Sequence, residues 1–317
     1  MSDAGLLVPQ VARGSDTSLA AYREAELRDW LALLKPRVMT LVVFSGLVGL
    51  IVAPGHLHPV LGFTAVLAIA VASGSAGAIN MWYDRDIDAL MRRTRNRPIP
   101  AGRIEPGAAL GYGITLGIGA VIVMGLATNW VAAGLLAASI AFYVFVYTIW
   151  LKRRTPQNIV IGGAAGAFPP VIGWAAVTGS VDFLPALLFA IIFLWTPPHF
   201  WSLSLYARND YQRAGVPMLP VIAGPRETRL QIWRYTLALV AMSLVPWALG
   251  RAGPVYGMAA AALGAGYLVY SWRVLRDRQD ALGVSQTRDA PARAAFRYSL
   301  MYLALLLAAL AVDHFVW

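Results

Sequence analysis

Nine apolar stretches recur along the chain, each about 20 residues long and separated from the next by a polar or turn-forming segment. Stretches of this length predict transmembrane helices, because about 20 apolar residues cross the hydrocarbon core of a bilayer. They cover residues 33–53, 59–83, 107–127, 129–150, 158–178, 183–203, 229–250, 254–273 and 295–316. The pattern predicts an all-α polytopic membrane protein, a bundle of nine transmembrane helices within residues 29–317. Residues 1–28 are expected to form a mobile cytoplasmic tail.

The composition fits a membrane protein. Apolar residues make up 58% of the 317 residues and charged residues only 13%, and the mean hydropathy is +0.60. A soluble domain would carry about 25% charged residues. Cysteine is absent, which excludes disulfides, thiolate metal sites and thioether attachment of haem.

The basic residues predict the orientation of the bundle. The net charge is +10, and 25 of the 26 lysine and arginine residues lie in segments on one predicted side of the membrane. These segments are the N-terminal region to Arg37 and residues 84–106, 152–154, 208–234 and 273–297. The positive-inside rule then places the N-terminus and the long loops in the cytoplasm. Because the basic residues are dispersed among these loops, nucleic-acid binding is not expected.

An acidic motif ends the second apolar stretch. If the helix continues through it, Asn80, Asp84 and Asp88 form one stripe, because residues four apart share a helix face. Asp86 then projects to nearly the opposite side. Two carboxylates and an amide oxygen suit Mg²⁺, which takes its remaining ligands from water and substrate phosphates. The alternative is a charged, solvated loop that caps a helix.

Basic residues near this motif suggest that the substrate is a lipid diphosphate. Guanidinium and ammonium groups neutralise phosphate oxygens. The candidate diphosphate-binding residues are Asn80, Arg92, Arg97, Lys152 and Arg153. Lys152 and Arg153 follow the fourth stretch, and their alternative role is orientation in the membrane. Lys35-Pro36-Arg37 is interpreted mainly as an interfacial anchor and helix start, and its alternative role is to supply polar partners for an anionic substrate.

A second cytoplasmic loop repeats the combination of an aspartate, arginines and prolines after the sixth stretch. Asp210 is its candidate metal ligand, and the two loops are expected to close over one cavity. The candidate metal ligands are therefore Asn80, Asp84, Asp88 and Asp210, and the candidate catalytic residues are Asp84, Asp88, Asp210 and Lys152.

Two intramembrane features remain. Pro197 and Pro198 are expected to disturb the sixth helix, because each removes a backbone donor. His199 beside them is a candidate contact for a flat cofactor, a general base or a structural histidine. Tyr143, Tyr147 and Trp150 recur at helical spacing. They form either an interfacial aromatic belt or a surface that stabilises a carbocation.

These motifs resemble those of the UbiA-type intramembrane prenyltransferases. The resemblance covers residues 30–317, and Asn80, Asp84 and Asp88 match the first aspartate-rich motif. The strings Thr196-Pro197-Pro198-His199-Phe200-Trp201 and Pro217-Met218-Leu219-Pro220 resemble the branch that farnesylates haem. One departure is that Asp210 is the only acidic residue within 204–220, which weakens the expectation of a second Mg²⁺.

The resemblance implies the reaction and its setting. Farnesyl diphosphate and haem B would be the substrates, Mg²⁺ the cofactor, and haem O, formed with addition of water, the product. His199 would contact the haem. The implied location is a bacterial inner membrane with the active site on the cytoplasmic side, and haem A synthase or terminal-oxidase assembly factors are candidate partners.

Three alternatives stay open at this point. The same bundle could prenylate an aromatic quinone precursor instead of haem. A transporter is a second alternative, although acidic residues at one membrane face are less typical of it than residues at the midplane. A structural or assembly subunit is the third alternative. It does not explain why Asp84 and Asp88 are spaced to share one helix face.

Overall fold

The computed structural model describes residues 25–317, which fold into a bundle of packed helices. Most of the predicted tail, residues 1–28, lies outside this range. In chain order the helices are α1 (Leu27–Leu33), α2 (Pro36–Ile51), α3 (Pro59–Tyr83), α4 (Arg85–Leu90), α5 (Pro106–Ala127), α6 (Trp130–Ala141) with a π-helical continuation (Phe142–Leu151), α7 (Asn158–Thr178), α8 (Phe183–Tyr206), α9 (Arg208–Arg213), α10 (Leu219–Ile222), α11 (Gly224–Ala248), α12 (Pro254–Leu275) and α13 (Ala290–Val316).

A helix or helix pair lies at every position where the apolar pattern predicts a span. Prolines define several starts, because a proline at the first helical position lacks an N–H that would be unpaired anyway. The first predicted span is broken into α1 and α2, which meet at a bend of 53°. Pro36 begins α2, and Lys35 before it adopts a left-handed conformation with φ 53°.

Six helices of the described residues are long and apolar enough to cross a membrane, and the bent α1–α2 pair is a seventh candidate. The six are α3, α5, α6 with its π-helical continuation, α7, α8 and α13. The protein is therefore a multi-pass membrane protein. Helices α11 and α12 lie where the seventh and eighth transmembrane helices are predicted, but they are not among these six candidate spans.

Glycines bring some helices into direct backbone contact. A Cβ added at Gly49 of α2 would lie 2.1 Å from the Pro170 carbonyl oxygen of α7, and one at Gly173 of α7 would lie 2.0 Å from the Gly46 carbonyl oxygen. Helices α3 and α5 approach where the Ser75 hydroxyl donates to the Gly113 carbonyl at 2.7 Å. Small residues thus set the helix spacing, as is common in membrane bundles.

The expectation that two prolines disturb the sixth helix is wrong. Helix α8 continues from Phe183 to Tyr206 with Pro197 and Pro198 inside it, both buried. It contacts α7, α11 and α13. Packing on several sides holds the helix together, which compensates for the two missing backbone donors.

Candidate active site

The acidic motif forms a buried stripe where α3 passes into α4. The Asp84 amide donates to the Asn80 carbonyl at 2.9 Å, and the Asp88 amide donates to the Asp84 carbonyl at 2.8 Å. The chain therefore keeps its four-residue hydrogen-bonding register through the junction. Asn80, Asp84 and Asp88 are 3%, 0% and 1% exposed, whereas the Asp86 side chain is 61% exposed. The predicted stripe is confirmed.

Asn80 is oriented by groups of opposite charge. Its Nδ2 donates to Asp84 Oδ2 at 2.7 Å and to Thr148 Oγ1 at 3.1 Å. Its Oδ1 accepts from Lys35 Nζ at 2.7 Å. Since an ammonium only donates and a carboxylate only accepts, the chemistry fixes the amide orientation. Sequence reasoning missed Thr148 and treated Lys35 mainly as an anchor.

The π-helical segment brings Thr148 and Lys152 to the stripe. The Lys152 amide donates to the Tyr147 carbonyl five residues earlier at 2.9 Å, and the Lys152 ammonium forms an ion pair with Asp84 Oδ2. Such wide helical turns occur frequently at functional sites. The apolar pattern predicts an ordinary α-helical span over 129–150 and gives no indication of the wider turns.

The π-helical segment also alters the predicted aromatic surface of Tyr143, Tyr147 and Trp150. The rings of Tyr143 and Tyr147 lie 5.3 Å apart, but Trp150 is 55% exposed. The prediction assumed an α-helix, and the wider π-helical turn separates Trp150 from the other two residues. The expected aromatic surface is therefore reduced to two tyrosines.

Arg153 lies between the buried and the exposed aspartate. Its guanidinium contacts the two carboxylate oxygens of Asp86 at 2.6 and 2.7 Å and donates to the Tyr83 carbonyl at 3.0 Å. Its Nη2 is 3.6 Å from Asp84 Oδ1. The guanidinium beside Asp86 lowers the pKa of that carboxyl group. Arg153 also lines an open groove of about 370 Å³ with Trp82, Tyr83 and Arg85.

The remaining arginine candidates differ in position. Arg97 Nη1 contacts Asp88 Oδ2 at 2.6 Å, and Asp88 is further fixed because its backbone carbonyl accepts from the Thr94 hydroxyl at 2.8 Å. Arg92 is exposed on the loop surface. Arg97 thus contacts the buried stripe, whereas Arg92 lies away from it.

The second cytoplasmic loop packs against the first. Ile87 and Met91 share an apolar cluster with Tyr211, Val216 and Met218. Asp210 itself pairs with Arg213 of α9. Within residues 25–317, no three His, Cys, Asp or Glu side chains converge as a potential metal site, so Asp210 does not join Asp84 and Asp88 there. The two loops pack against each other, but the predicted carboxylates do not gather into one group, and the shared cavity stays a prediction.

One oxygen of the stripe is suited to a hard cation. Asp84 Oδ1 is buried and has no hydrogen-bond partner, whereas Oδ2 accepts from Asn80 and Lys152. A buried carboxylate oxygen that accepts no hydrogen bond is costly and is the kind of donor that Mg²⁺ prefers; here its nearest cation is the Arg153 guanidinium at 3.6 Å. Asn80 Oδ1 already accepts a hydrogen bond from Lys35, so only its second lone pair is open to a metal.

His199 contacts α13 rather than the acidic stripe. Its ring stacks on Trp195 at 4.2 Å and on Phe296 at 4.6 Å between centroids. Its Nδ1 hydrogen-bonds Ser299 Oγ at 2.7 Å. Ser299 was not singled out from the sequence.

Proteins with similar sequences are known over most of the chain. A model of the UbiA prenyltransferase family matches residues 42–300. The chain is 70% identical over 292 residues to a protein of Granulibacter bethesdensis named protoheme IX farnesyltransferase, covering 92% of each chain. It is 69% identical over 288 residues to the protein of that name from Acidiphilium cryptum, covering 91% of each.

Solved structures share the fold at low identity. A structure described as digeranylgeranylglyceryl phosphate synthase has a TM-score of 0.74 and 17% identity, covering 92% of this chain and 99% of that one. A UbiA homolog from Archaeoglobus fulgidus bound to DMAPP and Mg²⁺ has a TM-score of 0.63 and 18% identity, covering 90% and 99%.

Proposed function

This chain belongs to the UbiA prenyltransferase family, and we propose that it transfers farnesyl from farnesyl diphosphate to a vinyl group of haem B. The observation that carries the chemistry is the buried stripe of Asn80, Asp84 and Asp88 surrounded by basic side chains. The names of the 70% and 69% identical relatives support the choice of substrates.

Basic side chains would bind the diphosphate. Lys152 and Arg97 are each paired with a stripe carboxylate, and Arg153 lies at its edge. When a metal neutralises the carboxylates, these cations become free to bind phosphate oxygens. Arg92, which lies on the exposed loop, would approach the diphosphate from that side.

Asp84 and Asp88 would hold Mg²⁺, with Asn80 assisting and Asp210 joining from the second loop. A bound Mg²⁺ would offset the charge that develops on the leaving diphosphate. Asp84 Oδ1, which is buried and accepts no hydrogen bond, supports this assignment. The apolar cluster that Tyr211 and Ile87 share holds the two loops together and supports the approach of Asp210.

The reaction then needs little covalent help from the protein. The C1–O bond of farnesyl diphosphate breaks, and the diphosphate leaves with the electron pair beside Lys152 and Arg97. The vinyl π electrons of haem attack C1, which leaves a cation on the carbon next to the porphyrin ring. Water adds there and loses a proton, giving the hydroxyethylfarnesyl group of haem O. The rings of Tyr143 and Tyr147 would shield the farnesyl cation from water.

The proposed topology has nine transmembrane helices, with the N-terminus and the active site on the cytoplasmic side of a bacterial inner membrane. Of the 26 basic residues, 25 lie on that side, which supports this orientation. Under this proposal α11 and α12 also span the membrane, packed against α8 and α13 respectively.

The test is turnover by the purified protein in detergent with haem B, farnesyl diphosphate and Mg²⁺. Mass spectrometry should detect farnesylated haem, and EDTA should abolish its formation. Turnover of an aromatic quinone precursor but not of haem would instead assign the chain to quinone biosynthesis. Absence of turnover with either acceptor would contradict the prenyltransferase assignment.

A further inference from the structure

Thr148 uses its hydroxyl group differently from the other threonines of the helices. Six threonines donate to the carbonyl four residues earlier in the chain: Thr64, Thr128, Thr178, Thr196, Thr228 and Thr236. Thr148 lies in the π-helical segment, and its Oγ1 instead accepts from Asn80 Nδ2 at 3.1 Å. Its hydroxyl hydrogen therefore has no acceptor among residues 25–317.

The direction of this hydrogen bond is fixed by the neighbours of Asn80. Lys35 donates to one end of the amide and Asp84 accepts from the other, so the nitrogen that contacts Thr148 can only donate. Thr148 then uses one lone pair and keeps its single hydrogen. The residue is 0% exposed, and a buried donor without an acceptor is costly. The missing acceptor is therefore expected on a ligand.

Packing on two sides holds the Thr148 hydroxyl in place. The ring of the preceding residue, Tyr147, covers Gly162 of α7, where an added Cβ would lie 2.3 Å from Tyr147 Cδ2. On the other side Thr148 contacts Asn80 of α3. Because the hydroxyl is already positioned, a ligand would bind it without the entropic cost of ordering the side chain.

The charges around Thr148 favour an anionic ligand. Lys35 bonds Asn80 Oδ1 at 2.7 Å, and Lys152, one turn after Thr148, pairs with Asp84. Two ammonium groups thus lie beside one buried carboxylate. A farnesyl chain has no hydrogen-bond acceptor, whereas diphosphate oxygens are strong ones. We propose that the Thr148 hydroxyl donates to an oxygen of the diphosphate of the prenyl substrate. This inference rests on the proposed function for the identity of that group.

The experiment is isothermal titration calorimetry of the detergent-solubilised full-length protein with inorganic diphosphate at saturating Mg²⁺. Thr148→Val keeps the shape of the side chain and should weaken binding by about 10- to 100-fold, the usual effect of losing a hydrogen bond to a charged group. Thr148→Ser keeps the hydroxyl and should bind like wild type. Thr236→Val is the matched control, since it removes a buried hydroxyl that bonds the Ile232 carbonyl of its own helix.

Steady-state kinetics extend the test to the substrate. Thr148→Val should lower kcat/KM for farnesyl diphosphate by about the same 10- to 100-fold and leave the KM for haem unchanged. A purely structural role would instead affect both substrates, and Thr236→Val would then show a comparable loss.

Equal diphosphate affinity for Thr148→Val and wild type would overturn the inference. So would an affinity that recovers when the Mg²⁺ concentration is raised further, because Thr148 would then act only on the metal through Asn80. The titration needs no acceptor, so it separates the two proposals. Farnesylated haem formed by the wild type alongside equal affinities would reject only this inference. Prenylation of an aromatic acceptor alone, with weakened binding in Thr148→Val, would reject only the choice of haem.

Discussion

Lys35 Nζ donates to Asn80 Oδ1 at 2.7 Å across a break between two helices. Lys35 adopts a left-handed conformation in this break, which is uncommon for a residue with a Cβ and costs about 1–2 kcal/mol. Backbone strain of this kind concentrates at functional sites. The bend before Pro36 thus places the Lys35 side chain beside the buried stripe of Asn80, Asp84 and Asp88.

Replacing Lys35 by methionine should lower kcat/KM for farnesyl diphosphate by about 10- to 100-fold. The substitution removes a charged hydrogen bond, which contributes about 1.5–3 kcal/mol, and Asn80 loses the group that fixes its amide. Steady-state kinetics at saturating haem measure the effect. Lys35→Arg is the control, because it keeps the charge at the same backbone position. Equal kinetics for Lys35→Met and wild type would show that Lys35 serves only as an anchor.

Asp84→Asn should reduce turnover by about 100-fold or more while the protein still purifies as a folded membrane protein. The substitution removes the negative charge that we propose binds Mg²⁺, and metal-ion stabilisation supplies several kcal/mol in such reactions. Asp86→Asn is the matched variant in the same motif. It should keep most turnover, because its side chain faces solvent and is 61% exposed. Similar losses in both variants would contradict the assigned stripe.

The Asp86–Arg153 pair predicts a pH dependence. Arg153 lowers the pKa of Asp86 below its ordinary value of 3.8, so the pair stabilises the folded state above about pH 4. This contribution is lost as the pH falls through the lowered pKa. Thermal unfolding in detergent should therefore show a difference between wild type and Asp86→Asn that is constant at higher pH and shrinks below pH 4. A difference that instead grows with acidity would reverse the assigned sign.

The sequence predicts the helices well because their signals are local. Apolar length and proline at helix starts identify α3 as residues 59–83, with the same ends that the structure has. The stripe of Asn80, Asp84 and Asp88 follows from helical periodicity alone. Both are properties of neighbouring residues and need no knowledge of packing.

The partners of the stripe could not be predicted in the same way. Thr148 lies 68 residues from Asn80 in the chain and reaches it through a π-helical turn, which depends on tertiary packing. Ser299 lies 100 residues from His199. The continuity of α8 through two prolines likewise depends on its neighbours. Contacts between residues so far apart in the chain leave no recognisable pattern among neighbouring residues in the sequence.

The closest helix contacts give a prediction about stability. Gly49→Ala should destabilise the protein by about 1–3 kcal/mol, because the added methyl overlaps the Pro170 carbonyl and the helices must separate. Gly111→Ala is the matched control, since a Cβ at Gly111 meets nothing within 4 Å. There alanine should be neutral or stabilise by up to about 1 kcal/mol through its higher helix propensity. Thermal unfolding of both variants in the same detergent measures the difference. Equal unfolding temperatures would mean that α2 and α7 are farther apart than the structure places them.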